Sequence, residues 1–221
     1  MKHALVIGAS GGIGSAISAE LSARGYGVTG LSRSADGLDV TDEASVKAAL
    51  SDVNQPMSLI FVATGALEPG GHRPEKALRE VTPAALEAAF RINAIGPLLV
   101  LKHSLHLLPK NAPSVFAALS ARVGSIGDNG IGGWHSYRAS KTALNQLIHG
   151  AAIELKRTHK QACAVCLHPG TVETSFTEKY ASRHKTVPAP QAAANLVNVI
   201  EGLTPAQSGG FFDYAAQKIP W

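Results

Sequence analysis

The chain has 221 residues, of which 45% are hydrophobic and 16% charged, and its formal net charge is +4. This apolar content excludes a disordered chain, and 22 glycines without a G-X-Y period exclude collagen. Two cysteines are too few to staple a chain of this length with disulfides, which indicates a reducing compartment and a cytoplasmic protein.

Strands and helices alternate along the chain. In chain order, the apolar patterns predict a strand over 4–7, a helix over 12–24, a strand over 26–31, a short strand over 37–40, a helix over 41–53, a strand over 58–63, a loop over 65–81, a helix over 82–108 that breaks near Gly96-Pro97, a strand over 115–120, a helix over 136–159, a strand over 162–167, a helix over 190–203 and a strand over 210–214. Strands separated by helices pair in parallel and are covered on both faces. We therefore expect a single α/β domain over residues 1–221, doubly wound, with a mostly parallel sheet of about seven strands.

The basic residues are scattered. Their densest groups include Lys156, Arg157 and Lys160 at the end of a predicted helix, where cations complement the helix dipole. No aromatic residues interleave with them, so we expect no nucleic-acid partner, whereas a small anionic ligand suits the net charge. A Gly-Pro pair interrupts the apolar residues 95–101, which fall short of the roughly 18 that a membrane span needs, so no membrane partner is expected.

The first chemical motif lies between the first predicted strand and helix and reads Gly8-Ala9-Ser10-Gly11-Gly12-Ile13-Gly14. Glycines here allow a tight turn and bring the backbone close to a pyrophosphate, whose charge then lies at a helix N-terminus. The position predicts the nucleotide-binding turn of a Rossmann-type domain. The same residues match the hydrolase elbow G-x-S-x-G, with Ser10 as nucleophile. That elbow takes its oxyanion hole from an upstream loop, and the residues before Gly8 are too few to form one, so the nucleotide interpretation is favoured.

The residues after the second strand bear on the choice of nucleotide. An NAD-binding fold places an acid about 20 residues after the glycines to hold the ribose hydroxyls. Here the strand ends in Leu31, Ser32, Arg33 and Ser34, with no acid, and Arg33 can pair with a 2′-phosphate. We therefore expect NADP (NADPH) to be favoured, with NAD possible. The alternative for Arg33 is a solvated loop charge.

The second motif is Tyr137-Arg138-Ala139-Ser140-Lys141 at the start of a helix. The i, i+4 spacing puts the Tyr137 hydroxyl and the Lys141 ammonium on one helix face. A nearby cation stabilises a phenolate and lowers the phenol pKa from about 10 toward the range useful for acid–base chemistry. Alone the pair is ordinary surface chemistry, but with the glycine turn upstream it indicates a catalytic pair.

With both motifs, the sequence resembles the short-chain dehydrogenase/reductase (SDR) family over essentially the whole chain. The other features that carry the resemblance are Asp39-Val40, which resembles the family's adenine contact, Asn93 in the broken helix, and Pro169-Gly170-Thr171-Val172-Glu173-Thr174. The features similar to the C-factor-like, carbonyl-reductase-like branch are Gly124-Ser125-Ile126, Gly133-Trp134 and the ending Pro220-Trp221.

The resemblance implies hydride transfer between a nicotinamide and a small carbonyl or alcohol substrate. Tyr137 would protonate the substrate oxygen, and Lys141 would lower the Tyr137 pKa and bind the nicotinamide ribose. Asn93 would hold the helix break and a proton-relay water, while Val172 and Thr174 would contact the nicotinamide carboxamide. The resemblance implies these cofactor-binding residues, and no metal site: Gly8, Ser10, Gly11, Gly12, Ile13, Gly14, Ser32, Arg33, Asp39, Val40, Thr64, Gly65, Tyr137, Lys141, Pro169, Gly170, Val172 and Thr174.

One departure from the family concerns its catalytic serine, which lies in a Ser-Ser-x-x-Gly pattern. Counting back from Gly124 places Ala121 at that position. Ser120 could serve only if the strand end twists, because neighbouring strand residues face opposite ways, and Ser125 is the other candidate. Loss of the hydroxyl would weaken carbonyl polarisation without removing the acid.

Two further departures concern the cofactor end. The family's Asn-Asn-Ala-Gly is replaced by Val62-Ala63-Thr64-Gly65, so the amide side chains that brace the central strand are gone. Few residues separate Arg33 from Asp39, so we expect strand two to pass directly to strand three without a helix and to leave the adenine pocket more open.

The remaining candidates favour ordinary structure. Cys163 and Cys166 lie three apart on a strand and face opposite sides, so buried inert thiols are expected. His103 and His106 share a helix face without a third metal ligand. We expect the substrate pocket to be built from the loops 65–81, 124–135 and 175–188, the last of which falls where relatives carry a mobile covering segment.

Two functions of different class fit these features. The favoured one is an NADP-dependent carbonyl reductase or alcohol dehydrogenase, and the alternative is a nucleotide-binding regulatory or signalling protein with weak or no catalysis. Ala121 favours the alternative, whereas Asn93, Tyr137 and Lys141 favour the enzyme. Relatives commonly pair through the two long helices that start near Pro83 and Ser136, so a homo-oligomer is also a candidate.

Overall fold

The fold is seen in a computed structural model that describes residues 1–174 and 186–221. Its strands in chain order are β1 His3–Ile7, β2 Gly27–Leu31, β3 Leu59–Val62, β4 Ser114–Leu119, β5 Ala162–His168, β6 Val172–Glu173, β7 Val187–Pro188 and β8 Phe211–Asp213. Among the described residues, six strands form a parallel sheet in the order β2-β1-β3-β4-β5-β8, and β6 and β7 form a separate parallel pair.

Helices cover both faces of this sheet. They are α1 Gly12–Ala23, α2 Arg33–Asp36, α3 Glu43–Ser51, α4 Pro83–Phe90, α5 Gly96–Ser104, α6 His135–Leu155 and α7 Ala189–Glu201. In β1, Ala4 and Val6 pack in the cluster of α1 and α7, whereas Leu5 and Ile7 pack in the cluster of α3, α5 and α6. This two-residue alternation produces the two apolar layers, and it confirms the doubly wound α/β prediction.

The predicted third strand over 37–40 is wrong, which is why the sheet has six strands instead of about seven. The chain makes one helical turn, α2, where we expected no helix. The Ser32 side chain caps it by accepting a hydrogen bond from the Ala35 N–H at 3.2 Å, and Gly37 ends it with a φ of +69°. Leu38 and Val40 are buried without joining the sheet. Local capping therefore outweighs strand pairing at this edge.

The predicted break in the long helix near Gly96-Pro97 is confirmed. A π-helical turn over Arg91–Ile95 joins α4 to α5, and Gly96-Pro97 begin the second helix. A wide turn before Pro97 fits a residue that has no N–H to donate. Thr82 caps α4, since its side chain accepts from the Ala85 N–H at 3.2 Å, and the Asp42 side chain caps α3.

The segment Pro83–Leu107 is a helix that is long and apolar enough to cross a membrane, judged by length and composition alone. In the fold it packs against α3 and α6. Its residues Ala89, Ala94, Val100 and Leu101 are buried. It is therefore a core helix on the face of the sheet that α3, α5 and α6 cover.

The prediction that the two cysteines are buried thiols on opposite faces of a strand is confirmed. Cys163 and Cys166 are buried free thiols in the two different core clusters, and burial raises the pKa of each to about 12. His103 contacts the Glu43 carboxylate at 2.8 Å. No group of three metal-ligating side chains occurs within the described part of the chain. Of the expected covering segment 175–188, residues 175–185 lie outside the described residues.

Candidate active site

The glycine turn after β1 is tight because two backbones approach each other. Gly8 has a φ of +84°, a conformation that L side chains rarely adopt, and its N–H donates to the Leu31 carbonyl at 2.7 Å. A Cβ on Gly14 would lie only 2.1 Å from the Gly8 carbonyl oxygen. Glycine is therefore required at both positions, and the turn delivers the chain to the N-terminus of α1.

That N-terminus opens into a cavity of about 640 Å³ at the carboxyl ends of β3, β4 and β5. The volume falls in the range of about 300–1,000 Å³ usual for ligand sites. A Cβ on Gly12 would lie 2.6 Å from Thr174 Cγ2, so a larger residue there would collide with the segment that follows β5. The free N–H groups of the first helical turn and the helix dipole suit a phosphate.

The cavity brings together twelve of the residues predicted from sequence, namely Gly11, Gly12, Ile13, Thr64, Gly65, Ser120, Tyr137, Lys141, Pro169, Gly170, Val172 and Thr174. The predicted residues outside its described lining are Gly8, Ser10, Gly14, Ser32, Arg33, Asp39, Val40, Asn93 and Ser125. Ser10 is exposed and accepts a hydrogen bond from the Ser34 hydroxyl at 3.0 Å, which suits a surface turn rather than a nucleophile.

Tyr137 and Lys141 project from the first turns of α6 into this cavity. Tyr137 is 7% exposed and Lys141 3% exposed, and the Lys141 ammonium lies 5.9 Å from the centre of the Tyr137 ring. Lys141 Nζ donates to the Leu119 carbonyl at 2.8 Å, and burial lowers the Lys141 pKa to about 8. Burial raises the Tyr137 pKa above its ordinary value, which is the opposite of the lowering expected from Lys141.

Asn93 supports the pair from behind the cavity wall. It is fully buried in the π-helical turn, where its side chain accepts from the Ala66 N–H at 2.8 Å and donates to the Ala66 carbonyl at 2.9 Å and to Ser140 Oγ at 3.1 Å. A Cβ on Gly65 would lie 3.2 Å from Asn93 Oδ1 and 3.3 Å from Lys141 Nζ. The amide therefore joins the loop after β3 to α6 and braces the region where the family's own amides are replaced.

The two serine candidates are both buried, and both hydroxyls already donate. Ser120 lines the cavity, but its hydroxyl donates to Asn145 Oδ1 on α6 at 2.7 Å. Ser125 donates to the Pro220 carbonyl at 2.6 Å and accepts from a backbone N–H, which ties a loop to the C-terminal segment outside the described cavity wall. Ala121 does line the cavity.

The adenine end corrects another expectation, because an acid does reach the end of β2. Asp36 on α2 folds back so that its carboxylate accepts from the Ser32 N–H at 2.7 Å and from the Ser32 hydroxyl at 3.2 Å. Arg33 is exposed. The Asp39 carboxylate accepts from the Thr41 N–H and hydroxyl, and these hydrogen bonds lower its pKa. Buried Val40 lies against Gly96 of α5, where a Cβ would meet it at 2.9 Å.

The residues present fit a dinucleotide cofactor. The glycine turn leaves a space that a Cβ would fill, and the N-terminus of α1 lies at the cavity. Thr64 Oγ1 in the cavity wall is buried and has no hydrogen-bond partner among the described residues, so a ligand group can satisfy it. The Tyr137–Lys141 pair lines the same cavity.

Half of the described cavity wall consists of residues that were not singled out as site residues. They are Ala63, Leu67, Leu119, Ala121, Arg122, Val123, Asp128, Ile131, Trp134, Arg138, His168 and Thr171. Leu67, Asp128, Ile131 and Trp134 among them belong to the loops 65–81 and 124–135, from which a substrate pocket was expected. Trp134 takes a left-handed φ of 50° at the start of α6 and meets the Tyr137 ring edge-on at 6.2 Å. Arg122 bonds to Asp128 and Asp213 at 2.9 Å each.

Glu75 is a second residue that the sequence did not single out. Its buried carboxylate accepts from the Ser136 N–H at 3.1 Å and from the Ser136 hydroxyl, and its own carbonyl accepts from the Trp134 N–H. The loop 65–81 thus caps α6 from a distance, which fixes the turn that carries Tyr137. No local pattern signals a cap that comes from a separate loop.

Comparison with known proteins identifies the architecture. A family model described as short chain dehydrogenase matches residues 2–185. The chain belongs to the short-chain dehydrogenase family. It is therefore an oxidoreductase of the short-chain dehydrogenase/reductase type, as the two sequence motifs indicated.

Two curated proteins are similar to this chain in sequence. The chain is 38% identical over 145 residues to C-signal of Myxococcus xanthus, covering 66% of this chain and 84% of that protein. It is 33% identical over 239 aligned residues to 1-hydroxy-2-glutathionyl-2-methyl-3-butene dehydrogenase of Rhodococcus sp. (strain AD45), covering 100% of both. The C-signal match confirms the resemblance to the C-factor-like branch.

Solved structures share the fold at lower identity. The NADPH-bound carbonyl reductase from chicken fatty liver has a TM-score of 0.85 at 22% identity, covering 100% of this chain and 99% of that one. At this identity the comparison shows that the two chains share a fold, and no more.

Proposed function

We propose that this protein is an NADP-dependent carbonyl reductase or alcohol dehydrogenase. The observation that carries the proposal is the convergence of Tyr137, Lys141 and the glycine turn on one cavity of about 640 Å³. Each feature is weak alone, and all three are needed for hydride transfer to a carbonyl: a cradle for the cofactor, an acid for the oxygen and a cation beside the acid.

The chain's own residues have distinct tasks in this reaction. The turn from Gly11 to Ile13 holds the pyrophosphate, and Thr64, Val172 and Thr174 hold the nicotinamide end. When bound, the nicotinamide supplies the hydride that adds to the carbonyl carbon. Val172 and Thr174 line the cavity, and their contacts with the carboxamide fix which face of the ring is presented.

Tyr137 protonates the carbonyl oxygen as the hydride arrives. Burial raises its pKa, so the phenol is protonated at neutral pH, as a general acid requires. Lys141 stabilises the phenolate that results and binds the nicotinamide ribose. Asn93 holds the loop after β3 against α6, which keeps Lys141 and Tyr137 on the cavity side.

NADP is favoured because Arg33 is exposed directly after β2, where a 2′-phosphate would lie. Structural neighbours described as NADPH-bound, such as the chicken carbonyl reductase, support this choice. The Asp36 carboxylate beside Ser32 leaves NAD possible. For the substrate, Leu67, Ile131 and Trp134 provide an apolar wall, and the Rhodococcus relative is named for an alcohol substrate.

A second candidate is a nucleotide-binding signalling protein with weak or no catalysis. Ala121 in place of the catalytic serine favours it, and so does the 38% identity to a protein named C-signal. The two candidates separate at Tyr137, which a signalling role does not require and the reductase does.

The test is oxidation of NADPH at 340 nm against a panel of aldehydes, ketones and quinones, with NADH alongside and Tyr137→Phe as control. The reductase predicts turnover that depends on Tyr137 and is faster with NADPH. NADPH binding without turnover across the panel favours the signalling protein. Failure to bind either nucleotide contradicts both candidates.

We also propose that the protein is cytoplasmic, which its buried free thiols support, and that it forms a homo-oligomer through the helices Pro83–Leu107 and α6. Exposed Ile95 and Ile153 on these helices support the interface, at 43% and 51% exposure. Light scattering after size exclusion tests it. Ile153→Lys should shift the mass toward a monomer, and a wild-type monomer would contradict the interface.

A further inference from the structure

His168 is a cavity residue that neither sequence motif accounts for. It ends β5, its ring lines the cavity, and its Nδ1 is buried without a hydrogen-bond partner among the described residues. A buried polar atom with no partner is costly and uncommon in native structures, so its presence in a ligand cavity calls for an explanation.

The reaction proposed above needs a hydrogen-bond donor to the carbonyl oxygen besides the acid Tyr137. Ala121 has no hydroxyl to supply it. A hydroxyl has one proton, and that of Ser120 is already donated to Asn145 Oδ1. Ser125 is tied to Pro220 outside the described wall. The serines near this position are therefore committed elsewhere.

His168 lies opposite Ser120, the neighbour of the position that lacks the hydroxyl. Leu119 of β4 pairs with Leu167 of β5, and the Ser120 N–H donates to the Leu167 carbonyl at 2.8 Å. The next step along both strands sets Ser120 opposite His168, on neighbouring strands about 4.8 Å apart. His168, Ser120 and Ala121 all line the same cavity, so the imidazole is available to a substrate oxygen bound at this end of β4 and β5.

The imidazole is in the form that can donate without carrying charge. Burial lowers the His168 pKa to about 4, and nearby Arg122 acts in the same direction while Asp213 opposes it. A neutral imidazole has one N–H and one lone pair. Because Nδ1 is the enclosed nitrogen without a partner, the proton belongs on Nε2, which is not enclosed.

We propose that His168 donates a hydrogen bond through Nε2 to the carbonyl oxygen of the substrate, which is the role that Ala121 cannot fill. The proposal rests on the proposed reductase function. His168 keeps its proton throughout and stabilises the negative charge that develops on the oxygen, while Tyr137 delivers the proton. It is thus a candidate catalytic residue for a chain whose family hydroxyl has been replaced.

The kinetic test compares His168→Ala, His168→Gln and Ser120→Ala, with NADPH and 4-nitrobenzaldehyde as the probe. His168→Ala should lower kcat about 100-fold, the usual cost of one such donor, and leave NADPH affinity by fluorescence within about twofold. The Gln amide should recover part of kcat, and so should imidazole added to the Ala variant. Ser120→Ala should lower kcat less than His168→Ala does. Exposed His106 provides the matched control, since His106→Ala should match wild type.

A kcat of His168→Ala within about threefold of wild type overturns the proposal. So does a loss that neither the Gln variant nor imidazole recovers, because it indicates a structural role. A larger loss in Ser120→Ala than in His168→Ala assigns the hydrogen bond to Ser120 instead.

A second measurement does not depend on turnover. In protein labelled with ¹⁵N-histidine, the signal absent from His168→Gln should show the neutral Nε2–H tautomer near neutral pH. Adding NADP⁺ with 2,2,2-trifluoroethanol should shift it, because the alcohol oxygen accepts from Nε2. An Nδ1–H tautomer or an unchanged signal overturns the proposal. If the wild type reduces no carbonyl, the reductase function fails on that result, and the spectrum decides separately whether His168 faces a ligand.

Discussion

The proposed catalytic end and the proposed adenine end of this molecule are fixed in different ways. At the proposed catalytic end, Asn93, Tyr137 and Lys141 are at most 7% exposed, and Asn93 and Lys141 bond to groups 22 to 47 residues away in the chain. At the adenine end, Ser32 and Asp36 bond to each other, four residues apart, and Arg33 is exposed.

The difference teaches where this enzyme can change. Asn93 and Lys141 are held by hydrogen bonds between separate elements, so a substitution at either disturbs the fold as well as the chemistry. The adenine side chains lie on a one-turn helix at the sheet edge and are held by their neighbours in sequence. Cofactor preference can therefore be altered there with little effect on stability.

The largest expected effect comes from removing the acid at the catalytic end. Tyr137→Phe should lower kcat about 1,000-fold, within the usual range for a general acid, while the fold and NADPH binding persist. Stopped-flow and steady-state assays measure the rate, and fluorescence titration measures binding. A kcat within about tenfold of wild type would show that another group supplies the proton.

The next effect tests how far the buried network holds the catalytic end. Asn93→Ala leaves the N–H and carbonyl of Ala66 without their partner, so it should lower the free energy of unfolding by about 2–3 kcal/mol. Urea denaturation followed by circular dichroism measures it. Exposed Asn54 is the control, and Asn54→Ala should change stability by no more than about 0.5 kcal/mol. Equal effects would remove the contrast between buried and surface positions.

Acid should destabilise the catalytic end through His168. Its pKa in the fold is about 4, below the ordinary value of 6.5, so the unfolded chain takes up a proton in this interval and the fold does not. Stability therefore falls as the pH falls from 6.5 toward 4, by about 3 kcal/mol. His168→Gln should lack this contribution, so the difference in free energy of unfolding between the two proteins should change across this interval. A constant difference across that interval would contradict the buried neutral imidazole.

The smallest effect is expected at the adenine end. Arg33→Ala should lower kcat/KM for NADPH about tenfold, the scale of one exposed contact to a phosphate, and leave NADH within about twofold. Arg157, exposed just after α6, supplies the control. Arg157→Ala should change kcat/KM for neither NADPH nor NADH. If NADPH and NADH fall equally after Arg33→Ala, Arg33 does not read the 2′-phosphate.

The same contrast explains what could be predicted from sequence. The glycine turn and the Tyr137–Lys141 spacing are short-range patterns whose geometry follows from a strand, a turn and a helix. The short helix at 33–36 was missed because capping by Ser32 and Asp36 leaves no apolar period to detect. Cavity residues such as Trp134 and His168 depend on where loops and strand ends meet, which no local pattern encodes.

Hydride transfer to a carbonyl carbon is tested most directly with deuterium. The enzyme is incubated with an aldehyde that it reduces and with NADPH deuterated at C4 of the nicotinamide, using each of the two stereoisomers in turn. Mass spectrometry then measures the deuterium content of the product alcohol. We predict that one stereoisomer alone transfers its deuterium, because Val172 and Thr174, the proposed contacts of the carboxamide, present a single ring face. Product that carries no deuterium from either stereoisomer, or deuterium from both equally, would contradict it.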